Sequence, residues 1–415
     1  MKIFSIIIIV GICISVIFPT EISFTQEDTE EQRLKALYPA NSFKYRGVVS
    51  IDIGDGDRNH ELICDFGSRG VYFYDTSRGW HRISSDNPEW IIGVQFGFSD
   101  YEILADFGSM GLWLWNYTGL PGTWTLLSPD DAQNAIALDD DMDGQDEIQV
   151  DFGSLGLWRY DDDTGWWTVL TADNPTGPVE ISDYGPTGIE EGNWAFGPYG
   201  TWSVYWNRFS HIPSWDFLTS DSADDDNVAG DVGVGSSADE VAFDFSTLGL
   251  WVYQWDSYQK WHIISPDSPK DIRVVRFVGD PFYEFVVQFE GVPGLWMWDY
   301  SGWPGTWTLL TDDNPTGDEA FCESFDPDGL WEASGDEEVA VDFGSNLGLW
   351  LYDNNVVIKW TQINPDSPTF MVRSDLKGYG ADTCLICDFG TAGLWYYDGN
   401  RSKWIKLSSN SPDPN

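Results

Sequence analysis

The ten residues Asp151–Tyr160, DFGSLGLWRY, constrain this chain more than any other stretch, because they recur eight times. Close copies begin at Asp65, Asp106, Asp342 and Asp388, and looser ones at Ala195, Asp244 and Gln288. Successive copies start 41 to 54 residues apart. A period of that size marks a stacked or circular repeat architecture, and it overrides the two or three domains that 415 residues would otherwise suggest.

The third copy shows what one repeat folds into. Ala135–Leu138 and Glu147–Asp151 alternate or run apolar, with the acidic loop 139–146 between them. The turn Phe152–Gly156 leads to Leu157–Tyr160, and a second turn, Asp161–Gly165, leads to Trp167–Leu170. Short aromatic and β-branched runs between Gly, Asp, Asn and Pro are the signature of strands joined by hairpins. Four antiparallel strands per unit predict a propeller blade. Such a sheet has two faces to bury, and packing against its neighbours around a ring buries both. The fold expected is therefore all-β, a β-propeller of eight four-stranded blades over 45–408, with seven blades as the alternative. No helical periodicity follows residue 45. The first copy has its own first strand and the last its own fourth, so blade eight should close directly on blade one.

Tryptophan supports the same frame. One stands in the fourth strand of every copy, from Trp80 and Trp124 to Trp404, and another in the third strand of all but the first, which has Tyr72. Aromatic residues that recur in every blade belong to inter-blade packing. The Asp of Asp-Phe-Gly likewise suits bonding to N–H groups of its own turn. Its kinase namesake comes with a phosphate loop and a catalytic loop, both missing here.

Charge narrows the partners. The 68 acidic and 21 basic residues give −47, which repels phosphate backbones and anionic membranes and so excludes nucleic acid as a natural partner. Lys2 and the apolar run Ile3–Phe18 read as an export signal over 1–20, too short to span a membrane comfortably. A polar linker over 21–44 and a tail over 409–415 flank the repeats. The expected location is secreted, periplasmic or cell-surface, with no membrane span once the signal is removed, and the expected state a monomer. Export permits disulfides among Cys64, Cys322, Cys384 and Cys387; one bridge and four buried thiols both remain open.

The strongest chemical motif is Asp139-x-Asp141-x-Asp143-Gly144-x-x-Glu147. Carboxylates at alternate loop positions converge, Gly144 permits the sharp turn, and the Gln145 carbonyl adds a ligand. Hard oxygen donors in a flexible loop suit Ca²⁺. Asp55, Asp57 and Glu61 stand at the same offsets in the first copy and predict a second site; Asp326-x-Asp328-Gly329 is a shorter remnant in the seventh. One to three ions are expected. An acid four residues before the motif recurs in all copies but the last, as at Glu240 and Glu338, and persists where the triad is gone, at Glu102, Glu191 and Glu284, which assigns it a structural role as an acceptor of N–H bonds.

An Asp-x-Asp-x-Asp-Gly-x-x-Glu loop followed by a strand and Phe-Gly, repeated around a ring, resembles the FG-GAP/VCBS repeats of integrin-α-like β-propellers. The resemblance covers about 45–408. It implies a secreted or surface propeller, Ca²⁺ held by Asp139, Asp141, Asp143, Glu147 and the Gln145 carbonyl, and adhesion or ligand binding. The function expected is thus non-enzymatic binding of an extracellular protein or a glycan, with a propeller lectin as the alternative and a polysaccharide-active enzyme behind it. Specificity is expected in the loops that depart from the repeat, 183–193, 208–215 and 326–337. Trp303 stands where the second copy has Leu120, outside the frame, and is a candidate ligand contact.

Overall fold

The computed structural model describes residues 47–412, apart from 55–58, 97–100, 183–188, 208–209, 211, 224–226, 234–237, 256, 278–281, 317–321, 326–336, 355 and 378–383. The expected signal and linker therefore lie outside the described residues. Eight four-stranded antiparallel sheets follow one another along the chain, each in simple meander order. They span 48–82, 90–128, 134–171, 177–219, 228–265, 269–311, 322–364 and 370–406. The expected eight blades are realised, and the seven-bladed alternative is not. Among the described residues the only helical elements are seven three-residue 3₁₀ turns, six of them in the hairpin after Asp-Phe-Gly.

Burial grades outward through each blade. Every residue of every second strand is buried, as in Glu61–Asp65 and Glu147–Asp151, because that strand is covered on both faces by adjoining blades. The fourth strands lie at the rim and are half-buried to exposed, as in Thr123–Ser128. The core is therefore not one mass but eight clusters, one at each blade junction. The cluster that closes the ring joins Val48, Leu62 and Cys64 of blade one to Phe370, Cys384 and Ile386 of blade eight. No strand is exchanged between the ends of the chain; Val48–Ile51 neighbours Phe370–Ser374 directly, and the Ser50 and Ser374 hydroxyls meet at 2.6 Å.

Two kinds of recurrent bond tie neighbouring blades. The fourth-strand indole N–H donates to a carbonyl of the preceding blade's fourth strand or the residue after it: Trp124 to Ile83 at 2.9 Å, Trp307 to Ile264 at 2.9 Å, and at the closure Trp80 to Leu407 at 2.8 Å. Nearer the axis, the residue before the recurrent Glu donates its backbone N–H to the end of the preceding blade's first strand, as Asp146 to Gln95 at 2.7 Å and His60 to Asp375 at 2.9 Å.

The Asp-Phe-Gly stretch is frame, as its repetition suggests. The Asp carboxylate accepts the N–H two residues on, as Asp151 from Gly153 at 2.7 Å and Asp342 from Gly344 at 2.9 Å; Asp342 and Asp388 accept a hydroxyl at 2.6 Å, from Ser367 of the next inter-blade linker and from Ser411 after the last strand. The second glycine of the turn is obligatory on two counts. Gly156 has φ +86°, and a Cβ there would lie 2.2 Å from the Thr171 carbonyl oxygen.

The four cysteines are free and buried, with Cys64 and Cys384 in the closing cluster, so the disulfide alternative is not realised. Burial pushes the thiols of Cys64 and Cys387 well above their ordinary value, with nearby aspartates adding to it.

Candidate metal centre

The acidic loop 139–146 joins the first strand of blade three (Asn134–Leu138) to the second (Glu147–Asp151). At the same end of that blade the turn 162–165 joins the third strand (Leu157–Asp161) to the fourth (Trp166–Thr171). Asp139 folds the loop around itself. Its carboxylate accepts the N–H groups of Met142 at 2.6 Å, Asp143 at 3.1 Å and Gly144 at 2.9 Å. Met142 and Gly144 take φ of 67° and 88°, which turns the chain tightly enough for this. Asp143 accepts the Gln145 backbone N–H at 2.8 Å, and the Gln145 side-chain amide lies 3.3 Å from its other oxygen.

Glu147 does what its equivalents do elsewhere. It accepts the Asp140 N–H at 3.2 Å, as Glu61 accepts that of Ile53, Glu102 that of Phe96, Glu240 that of Val232 and Glu284 that of Phe277. The recurrent acid is a loop staple first, and among the described residues only the third blade surrounds it with further carboxylates.

The residues expected to act together fall into two groups. Carboxylate oxygens of Asp139, Asp141 and Glu147 lie within 4.8 Å of one another; Asp143 instead joins Asp162 and Asp163 from the second turn. Asp162 and Asp163 carry no alternate-position spacing, and their sequence signals only a turn. The Oδ1 atom of Asp162 is buried without a hydrogen-bond partner.

At the centre is a residue that the motif does not contain. Arg159 is 1% exposed, and its guanidinium reaches four carboxylates: Asp140 at 2.7 Å, Asp161 at 2.7 Å, and Asp141 and Glu147 at 3.3 Å each. It also lies over the Trp206 ring of blade four, 4.5 Å from the centroid. Asp140 continues the link through Gln149 to the Trp194 indole, which donates to the Gln149 amide oxygen at 2.8 Å. The signal was present in the alignment of repeats: the position of Arg159 is held by Phe73, Leu114, Ser203, Val252, Met297, Leu351 and Tyr396 elsewhere.

One guanidinium faces this many acids, so the electrostatics are unbalanced. Burial, reinforced by Asp140, pushes the Glu147 carboxyl far above the usual carboxylate range. Burial raises Asp139 to about 6 despite its three N–H bonds, and burial with Asp143 raises Asp162 to about 6. Asp161 goes the other way: burial raises it, but the bonds from Thr164 and Arg159 outweigh that. A set of hard oxygens in excess of its internal cation, with one orphaned buried oxygen, fits a hard divalent cation. Asp139, Asp141 and Glu147 would hold one, and Asp143, Asp162 and Asp163 offer a second set.

The other expected positions are placed as follows. Asp55 and Asp57 lie outside the described residues, as do Asp326 and Asp328; Glu61 is buried as the staple already described. Trp303 is half-buried. Its indole stacks on His262 of blade five with centroids 3.7 Å apart and planes at 4°, and it packs against the cluster between blades five and six. Leu120 occupies the same place over the cluster between blades one and two. A further carboxylate trio, Glu89, Asp106 and Asp131, meets within 4.8 Å at the opposite end of the ring. Its members come from three separate segments, and no local spacing announces them.

No family model matches this chain, and neither does any curated protein. The solved structures similar to this chain are of low identity. BBS1N from a complex with ARL6DN is 11% identical, with 89% of this chain and 94% of that one covered at a TM-score of 0.45. Sqt1 of Saccharomyces cerevisiae is 10% identical, with 75% and 83% covered at 0.49. The V. cholerae biofilm matrix protein Bap1 is 14% identical, with 82% and 73% covered at 0.35.

Proposed function

We propose that this chain is an exported interaction propeller that binds another protein through one end of its ring, with Ca²⁺ bracing the loops of blade three. The observation that carries the reading is the acidic end of that blade. Two loops and the strand ends beside them bring eight carboxylates (Asp139, Asp140, Asp141, Asp143, Glu147, Asp161, Asp162, Asp163) to one end of the blade, four of them on one buried arginine, and an oxygen of Asp162 is left without a partner. When bound, Ca²⁺ would supply the missing positive charge and fix the two loops against each other. The FG-GAP/VCBS-like spacing of Asp139-x-Asp141-x-Asp143-Gly144 agrees with that assignment. The fourth-strand Trp and the recurrent Asp and Glu residues are occupied in holding the ring, which leaves the surfaces between them for a partner.

Thermal melting with and without chelator tests the calcium part. Chelator should lower the Tm, and Asp141→Ala with Asp143→Ala should abolish most of the shift; an unchanged Tm defeats it. Cross-linking in the native extracellular fraction tests the binding part, which fails if the protein is recovered only alone. The second reading, a carbohydrate-binding propeller, draws on the half-exposed third-strand tryptophans, and a glycan array decides it.

A further inference from the structure

The third-strand tryptophans divide the ring unequally. Each donates its indole N–H to a carbonyl in its own hairpin, as Trp158 to Leu155 and Trp202 to Tyr199, both at 2.9 Å. That leaves a half-exposed apolar ring face with its one polar atom already engaged. Directly opposite each, on the fourth strand, stands a second side chain. Trp113 faces Leu126, Trp158 faces Val169, Trp202 faces Phe217, Trp251 faces Ile263 and Trp296 faces Leu309. All five of these fourth-strand residues are exposed. Cross-strand partners share a sheet face, so each pair is one apolar facet. An exposed hairpin residue stands beside the Trp in blades two to five, Met110, Leu155, Tyr199 and Leu248, and also in blade seven, Leu347. Blade four carries the largest facet, with Phe217 53% and Tyr199 70% exposed.

Blades seven, eight and one break the pattern. Opposite Trp350, Trp395 and Tyr72 stand Gln362, Lys406 and Arg82. Five consecutive blades thus carry apolar facets and three carry polar ones. A series of exposed apolar facets on consecutive blades marks an interaction surface.

The same end of the ring carries a row of charge beside these facets, which continues to Asp366 of blade seven and Asp86 of blade one. The linker after each fourth strand is pinned by a side-chain bond to a backbone N–H: Ser128 holds Asp130, Thr171 holds Asp173, Thr219 holds Asp221, Ser265 holds Asp267 and Thr311 holds Asp313, all at 3.1 to 3.2 Å. These five aspartates are exposed. They stand beside the facets: one cleft of about 760 Å³ is lined by Asp130 and Asp131 together with the hairpin residue Leu155. The equivalent cleft between blades seven and eight places Asp366 with Ala392 and Trp395.

We infer that this linker end of blades two to six docks a cationic amphipathic polypeptide, its apolar side chains on the tryptophan facets and its Lys or Arg side chains on the aspartates. The inference rests on the interaction reading above and gives it a surface and a partner class. Charge complementarity selects the occupant. A second copy would bring another −47 to the same surface. A glycan needs hydroxyl partners beside its stacking platform, and the residues opposite the five tryptophans are Leu, Val, Phe, Ile and Leu.

The test is titration of the full chain with three synthetic peptides: lysine alternating with leucine and phenylalanine, lysine alternating with serine, and glutamate alternating with leucine and phenylalanine. The first should bind and the other two should not. Val169→Ser with Phe217→Ser should weaken binding about tenfold or more, as should Asp173→Asn with Asp221→Asn. Trp166→Ser, at the other end of blade three and 75% exposed, should change nothing. Unaltered circular dichroism of each variant shows that folding is intact. Equal binding of the lysine–serine peptide, or full affinity in the facet variant, overturns the inference in favour of diffuse charge attraction and leaves the interaction reading standing. Displacement of the peptide by cello-oligosaccharides overturns it in favour of a glycan. If no peptide binds, this inference fails, and the interaction reading falls only if native cross-linking is also blank.

Discussion

Arg159 and Asp140 form a salt bridge of 2.7 Å in which both side chains are 1% exposed. It is the hub of the third blade's acidic end and of that blade's junction with blade four. Removing an ion from water costs several kcal/mol, and a pair this deep persists only if further bonds satisfy both partners. Here Asp161, Asp141 and Glu147 complete the guanidinium, and Gln149 hands the network on to Trp194.

Arg159→Met should therefore destabilise the protein by roughly 3–5 kcal/mol, since it leaves Asp140 and Glu147 buried without their cation. Urea unfolding measures this. Arg159→Lys should recover only part of the loss, because an ammonium does not reproduce a fork that reaches four carboxylates. Added Ca²⁺ should restore more stability to Arg159→Met than to the parent.

The turn glycines separate backbone strain from collision. Gly156→Ala combines φ +86° with a Cβ 2.2 Å from a carbonyl oxygen, and should cost about 2–4 kcal/mol. Gly79, with φ +76°, has nothing within 4 Å of its missing Cβ, so Gly79→Ala should cost only about 1 kcal/mol. Denaturation midpoints of the two variants should differ accordingly.

Ring closure rests on the same indole bond as every other junction. Trp80→Phe removes the N–H that Leu407 accepts, and should cost about 1–2 kcal/mol. Trp124→Phe, at an internal junction, should cost the same, because the closing contact is built like the others. A much larger loss at Trp80 would mean that the ends of the ring are its weak point.

Asp106 sets a pH dependence opposite in sign to that of a salt-bridged carboxylate. Burial raises its carboxyl from 3.8 to about 7, with Asp131 and Glu89 adding to burial and N–H bonds from Gly108 and Ala132 opposing it. The folded state then holds a proton that the unfolded chain releases. Its contribution is present below pH 4, and stability falls as pH rises from about 4 to about 7. Asp106→Asn should flatten that slope in a series of melts, while the parent keeps it.

The architecture was legible in the sequence because it is periodic. A motif repeated eight times, with turn residues at fixed offsets, specifies strand, hairpin and blade through local conformation alone. A Trp that recurs in every fourth strand can only serve what every blade has, which is a neighbour. The same comparison assigned the recurrent Glu to structure, and Glu61, Glu102 and Glu240 bear that out by accepting loop N–H groups. The acidic loop was legible for the same reason, since alternate carboxylates around a glycine converge within one turn.

What crosses between segments was not legible. Asp143 parts from Asp141 to join Asp162 and Asp163 because two loops at one end of a blade meet in space. Glu89, Asp106 and Asp131 converge from a linker, a second strand and another linker. Trp303 looked free of the frame because its partner, His262, belongs to the preceding blade. Side-chain periodicity decides which strand a residue occupies and which way it points; what it points at is decided by the neighbouring blade. The sequence by itself determined the ring and its acidic loop, and the tertiary structure decided that a buried arginine stands at the centre of that loop's charge.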